Sequence, residues 1–206
     1  MQDLMYIMEF LRTPGVEGRQ RLTGYIPCTP RNYTGQARPE RYAAIGVSGV
    51  TIATGCDLGQ TDAETLLDYG LASAIVNRLR PYFGLKQEHA LRKLHILPLT
   101  VAQDTADAID LAVHAGYWRH RVAPAYQAAA GLPATALPRQ AQAVLFSLCF
   151  NYGCGGFRRR APNTWAALVR QDWQDAARRL GNRKLWVEPW AQSRRAIEGR
   201  LLQEVC

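Results

Sequence analysis

The sequence predicts an α+β fold dominated by helix, and three observations carry that expectation. Residues 18–60 are rich in Gly, Pro, Thr and Tyr and contain an apolar–polar run over Ile45–Thr54, the pattern of a small sheet. Most of the remaining chain repeats apolar side chains at helical spacing between stop signals. The chain has 206 residues, 48% hydrophobic and 20% charged, values that exclude a disordered, collagen-like or coiled-coil protein. That length suits one larger domain or two small ones, and the sequence reads as a single domain with 18–60 as its β-containing lobe and 61–206 as its helical part.

Taken in order, residues 3–12 carry Leu4, Met5, Ile7, Met8 and Leu11 at helical spacing, and Thr13-Pro14-Gly15 forms a stop. A β-hairpin or small sheet comes next, around Ser48-Gly49, interrupted by the polar stretch Cys28–Arg41, which reads as a surface insertion. Thr61-Asp62-Ala63-Glu64 has the form of a capping box. It opens a predicted helix to about Arg80 with Leu66, Leu67, Leu71, Ile75 and Leu79 on one face. A short helix fits 86–94. Thr100 to Gln103 is a second capping box, and its helix runs towards Tyr117. Pro124 limits or kinks the next helical stretch. Residues 138–151 form a strongly apolar helix, and helices over about 164–180 and 188–204 close the chain.

Charge narrows the partners without choosing one. Lys and Arg exceed Asp and Glu by eight, and residues 157–206 hold most of the excess. A basic surface suits an anionic polymer: nucleic acid, anionic lipid or a bacterial wall. The interleaved aromatic and basic pattern of a nucleic-acid stacking platform is missing, so no nucleic acid is expected. No stretch reaches 18 apolar residues, so no membrane span is expected. Residues 1–12 lack the marks of a secretory signal. The five cysteines (Cys28, Cys56, Cys149, Cys154, Cys206) contain no CxxC pair. No metal or other cofactor is therefore expected, and the residues leave a Cys149–Cys154 disulfide open.

The four histidines are scattered, and no GxSxG elbow, GxGxxG or P-loop occurs, so triad and nucleotide chemistry lack support. Two carboxylates stand out. Glu17 follows the first helix and precedes Gly18, and Asp57 leaves the predicted hairpin within Gly55-Cys56-Asp57-Leu58-Gly59. Acids at element ends beside glycine face open space, and a pair of them is what glycoside hydrolysis requires. Thr51, six residues before Asp57, falls on the same strand side by period-2 counting, where its hydroxyl can hold a water. The residues alone leave open whether both acids are instead cap or turn groups.

The stretches Glu17-Gly18, Thr23-Gly24-Tyr25-Ile26-Pro27 and Ser48-Gly49-Val50-Thr51-Ile52-Ala53-Thr54-Gly55-Cys56-Asp57-Leu58-Gly59-Gln60 resemble the muramidase domain of pesticin and its relatives, distant kin of the phage T4-type lysozymes. Leu145–Gly153 resembles the inner helix of phage-type lysozymes, and Arg194-Arg195-Ala196-Ile197-Glu198 resembles their C-terminal RRxxE helix. The resemblance implies a lysozyme-like fold with the cleft between two lobes. It implies catalytic roles for Glu17 as acid and for Asp57 with Thr51 as the holders of the attacking water. Glu9 is the rival acid. The family usually has glycine where Ala53 stands, and a shorter link where Cys28–Gly46 lies.

The implied substrate is the β-1,4 bond between N-acetylmuramic acid and N-acetylglucosamine in peptidoglycan. Inversion is expected, with carboxylates roughly 6.5–9.5 Å apart, and Glu17 is expected to hold its proton through partial burial. Substrate contacts are expected from Tyr25 by stacking, Asn151 by hydrogen bonding, and Arg194 and Arg195 by charge. Asn151 also reads as a helix cap, and Arg195 as one half of a surface pair with Glu198. The implied setting is a monomeric antibacterial toxin or effector acting in the periplasm or wall of target bacteria. It is delivered by a secretion system, opposed by an immunity protein, and cut as a domain from a larger protein. Rival readings are a phage endolysin released by lysis machinery, a lytic transglycosylase, and a non-catalytic wall-binding module.

Overall fold

The computed structural model describes residues 2–206, and the chain adopts the expected class, α+β with helix dominant. It folds as two compact units. One joins the N-terminal stretch through Gly18 to Tyr117–Cys206, and the other, Arg19–Gly116, is inserted between them. Helix α1 (Gln2–Leu11) opens the first unit, burying Ile7, Phe10 and Leu11 in its core.

The inserted unit holds all the strands. They are β1 (Arg21–Tyr25), β2 (Cys28–Thr29), β3 (Ala43–Ala44), β4 (Thr51–Ala53) and β5 (Cys56–Asp57). β4 lies between β1 and β5 in an antiparallel sheet, and β2 pairs with β3 in a separate ribbon. The hairpin therefore turns at Ala53-Thr54-Gly55, not at the expected Ser48-Gly49. Thr51 and Asp57 sit on neighbouring strands rather than on one. The insertion is anchored by Tyr33, buried to 1% exposure, and by its hydroxyl donating to Ala37 O at 2.9 Å.

After a 3₁₀ turn (Leu58–Gln60) come α2 (Ala63–Asp68), α3 (Ser73–Leu79), α4 (Gln87–Ile96) and α5 (Gln103–Tyr117). The single helix expected over 61–80 is broken. Gly70, at φ +88°, takes the left-handed conformation that ends helices, so α3 must start afresh. Asp62, not Thr61, caps α2, accepting from Thr65 N–H at 2.7 Å. Thr100 forms an antiparallel bridge with Thr23. Residues 99–101 run alongside β1, where Gly24 N–H donates to Leu99 O and Val101 N–H to Leu22 O, both 2.8 Å, and α5 begins only at Gln103.

The first unit resumes at Tyr117. A π-helical turn (Trp118–Val122) leads without a break into α6 (Ala123–Ala130), where Pro124, the second residue, has no N–H to donate. Next come α7 (Arg139–Tyr152), α8 (Cys154–Arg160), α9 (Pro162–Val169), α10 (Trp173–Gly181) and α11 (Pro189–Gln203). α7 runs through the core, burying Ala141, Val144, Leu145, Phe146, Leu148 and Cys149. The helix expected over 164–180 is split where Gln171 adopts φ +59° and Asp172 caps α10. The arginine run 158–160 is helical, carried by α8, whose Phe157 is fully buried. Trp165 and Trp186 join the core, while Trp190 stays 47% exposed. Among the described residues no helix is long and apolar enough to cross a membrane. All five cysteines are free thiols, and the Cys154 thiol donates to Arg121 O at 3.6 Å.

Candidate active site

The inserted unit brings three of the expected residues into one row. Tyr25 on β1 pairs with Thr51 on β4, and Thr51 pairs with Asp57 on β5. Directly opposed residues of an antiparallel sheet project to the same face, so the Thr51 and Asp57 side chains adjoin across the hairpin. Asp57 is partly buried and is held by main-chain donors. Gly59 N–H reaches Oδ1 at 2.8 Å, and Gly49 N–H reaches Oδ1 at 3.1 Å and Oδ2 at 3.3 Å. Burial pushes the Asp57 carboxyl above its ordinary value, while the Gly59 and Gly49 amides and the Lys86 charge pull it back. The Thr51 hydroxyl is buried and donates to Gly49 O over a long 3.4 Å. Tyr25 is only 8% exposed, and the Arg21 guanidinium lies 4.5 Å from its ring centre.

Gly49 and Gly59 are needed for this cradle because the main chain crosses itself there. A Cβ on either would stand 2.5 Å from Leu85 O, inside any tolerable contact. The glycines of the Ser48–Gln60 string thus serve close backbone approach, which lets their amides reach one carboxylate.

The other unit gathers Glu17, Asn151, Arg194 and Arg195. α1 ends with the N–H groups of Glu17 and Gly18 both donating to Leu11 O, at 3.0 and 3.2 Å, which fixes where Glu17 leaves the helix. Its side chain is 17% exposed, and Oε1 accepts from Arg194 Nη1 at 2.6 Å. Its other oxygen makes no hydrogen bond among the described residues. Arg194, 3% exposed, also donates to Ser147 Oγ at 2.9 Å and to Glu198 Oε1 at 3.3 Å, and Ser147 donates to Glu198 at 2.5 Å. Burial works against the Arg194 charge, but Glu17 and Glu198 together hold its pKa above the ordinary value.

Arg195 and Glu198 are both fully buried, so their pair is not the surface pair of the sequence reading. Their 3.0 Å contact is an ion pair without hydrogen-bond alignment. Arg195 instead lies over the rings of Tyr152 and Trp186, at 5.1 and 5.6 Å, and burial depresses its pKa. It donates to Asn151 Oδ1 at 3.1 Å, so Asn151 is tied to this network rather than acting as a helix cap. Neither arginine presents its guanidinium at the surface. Glu9, the rival acid, is an exposed residue of α1.

Sequence reasoning missed the residues that support these groups. Ser147 lies hidden in the apolar α7, and Asp110 and His114 lie on α5. The i,i+4 spacing of Asp110 and His114 on an otherwise apolar face was the available signal.

The Pesticin family model, described as "Bacterial toxin homologue of phage lysozyme, C-term", matches residues 8–174, well over half of the chain. Among curated proteins no match was found.

Proposed function

The chain belongs to the Pesticin family, and on that premise we propose that it is a muramidase, cleaving the β-1,4 bond between N-acetylmuramic acid and N-acetylglucosamine. The observation that carries this reading is the in-register pairing of Thr51 with a partly buried Asp57, inside the matched region and beside main-chain amides that fix the carboxylate.

Glu17 donates its proton to the glycosidic oxygen as the bond from the anomeric carbon breaks. Asp57 accepts a proton from a water that Thr51 helps to orient, and that water attacks the opposite face of the sugar, inverting it. The weak Thr51–Gly49 hydrogen bond supports this, because such a hydroxyl is easily recruited by a water. Arg194 and Arg195, buried as they are, act as positioning residues rather than as substrate ligands. Asn151 retains its amide N–H groups for an acetamido oxygen, while Tyr25, buried under Arg21, backs the row rather than stacking on a sugar.

The family's description as a toxin homologue supports an antibacterial toxin or effector acting on the walls of competing bacteria, with an immunity protein as its counterpart. An endolysin would share the chemistry and differ only in release.

Muropeptide analysis of digested sacculi tests this reading. Wild type should release fragments with reducing N-acetylmuramic acid ends, and D57A and E17Q should lose about 100-fold or more of that release. Products bearing 1,6-anhydro ends would instead identify a transglycosylase. No release by wild type would leave a binding module.

A further inference from the structure

Thr54 sits at the tip of the β4–β5 turn, 1% exposed, and α5 grips all three of its polar groups. Its N–H and its hydroxyl each donate to Asp110, to Oδ1 and Oδ2 respectively, both at 2.7 Å. Its carbonyl accepts from His114 Nε2 at 3.2 Å, one helical turn further along α5, which requires the proton to reside on Nε2. Asp110 is itself 1% exposed and also accepts from Gln20 Nε2 at 2.8 Å. A buried carboxylate with three donors is a fixed post rather than a solvated charge.

The residue beside Thr54 shows what the post holds. Ala53 lies at φ +54°, in the left-handed region that a Cβ disfavours, and it is 1% exposed. Gly55 on the other side is at φ +80°. These three residues form the whole connection between Ile52 and Cys56, which are partners in the ladder, and the next rung pairs Thr51 with Asp57. A turn that relaxed at Ala53 would shift that rung, and a one-residue slip would send Asp57 to the other face.

We propose that Asp110 is a positioning residue for the catalytic hairpin: through Thr54 it holds Ala53 in the left-handed conformation that keeps Thr51 opposite Asp57. The inference rests on the muramidase reading for its effect on rate, but not for its effect on the turn. Glycine at 53 adopts the same conformation without help, so it should make the post dispensable.

A double-mutant cycle tests this. D110N keeps shape but loses charge and sets an N–H₂ group against the donors of Gln20 or Thr54. Loss of a charge-assisted bond predicts a fall in kcat of about 10-fold, with KM changed less than about 2-fold. A53G alone should stay within about 2-fold of wild type, and D110N/A53G should recover most of the loss. A double variant no faster than D110N overturns the proposal, because an Asp110 needed only for packing gains nothing from glycine at 53. If D110N does not fold, T54V, which keeps the amide bond and loses the hydroxyl bond, takes its place in the cycle with the same criterion.

Amide exchange at Thr54, followed by NMR without substrate, reads the post directly. It should be slow in wild type and faster by about 10-fold or more in D110N. Unchanged protection overturns the proposal even if activity falls. A wild type that releases nothing from peptidoglycan defeats the muramidase reading alone, and the exchange experiment still decides the role of Asp110.

Discussion

Glu17 and Asp57 are both acids at element ends, but their surroundings are built from opposite materials. Glu17 meets side-chain charge: Arg194 at 2.6 Å, with Glu198 and Arg195 buried behind it. Asp57 meets peptide groups, the amides of Gly49 and Gly59, on a sheet where no arginine or lysine contacts it within 4.0 Å among the described residues. The first arrangement draws residues from far along the chain, since Glu17 depends on positions 147, 194 and 198. The amides that hold the second are local, within a dozen residues of one another. Glu17 is therefore exposed to loss of the charge that contacts it, and Asp57 to any side chain added where two backbones cross.

E198Q should break the first arrangement with the largest effect. It leaves two buried arginines sharing one carboxylate, and breaking such a pair costs about 3–5 kcal/mol, lowering Tm by roughly 10 °C. Thermal unfolding measures it, and a Tm within a degree or two of wild type would mean that the network stabilises nothing. G59A should strike the second arrangement, because its Cβ meets Leu85 O at 2.5 Å and Asp57 Oδ1 at 3.1 Å. Overpacking of this kind costs about 1–3 kcal/mol, and wall lysis should fall at least as steeply as stability. If lysis is retained while Tm drops, the amide of Gly59 is not what fixes Asp57.

The smallest effect separates the two acids by pH. Asp57 titrates above the ordinary 3.8 in the folded protein because it is buried. A raised carboxyl favours folding while it is protonated, and that contribution is lost as pH rises through the folded value. D57N should therefore match wild type in Tm below about pH 4 and exceed it by a few degrees at neutral pH. A pH-independent difference would show that burial of the charge is not the cause.

Much of this was legible in the sequence, and the failures have physical reasons. α1, α4, α5, α7 and α11 lie where apolar spacing puts them. The breaks at Gly70 and Gln171 were missed because apolar periodicity continues across them, whereas a single left-handed residue ends a helix. In the candidate site, Asp57 and Thr51 were legible because glycine-flanked strings record tight backbone geometry. The buried role of Arg194, Arg195 and Glu198 was not. They occupy the inward face of α11 with Ala191 and Leu202, and spacing rules read charge as solvent-facing. Burial of a neutralised cluster of four charges leaves no mark in composition. Ala53 gave its own signal through the resemblance, which implies glycine there, and the proposed clamp on Thr54 offers a reason why the chain tolerates a side chain at φ +54°.

The nesting of one unit inside the other governs the order in which the protein is born. A ribosome finishes Arg19–Gly116, hairpin included, while α11 is still untranslated, so Asp57 has its cradle long before Glu17 has its arginine. On the proposed mechanism the acid lacks its charged partner until α11 emerges, and a chain broken off before Arg194 would carry Glu17 without it.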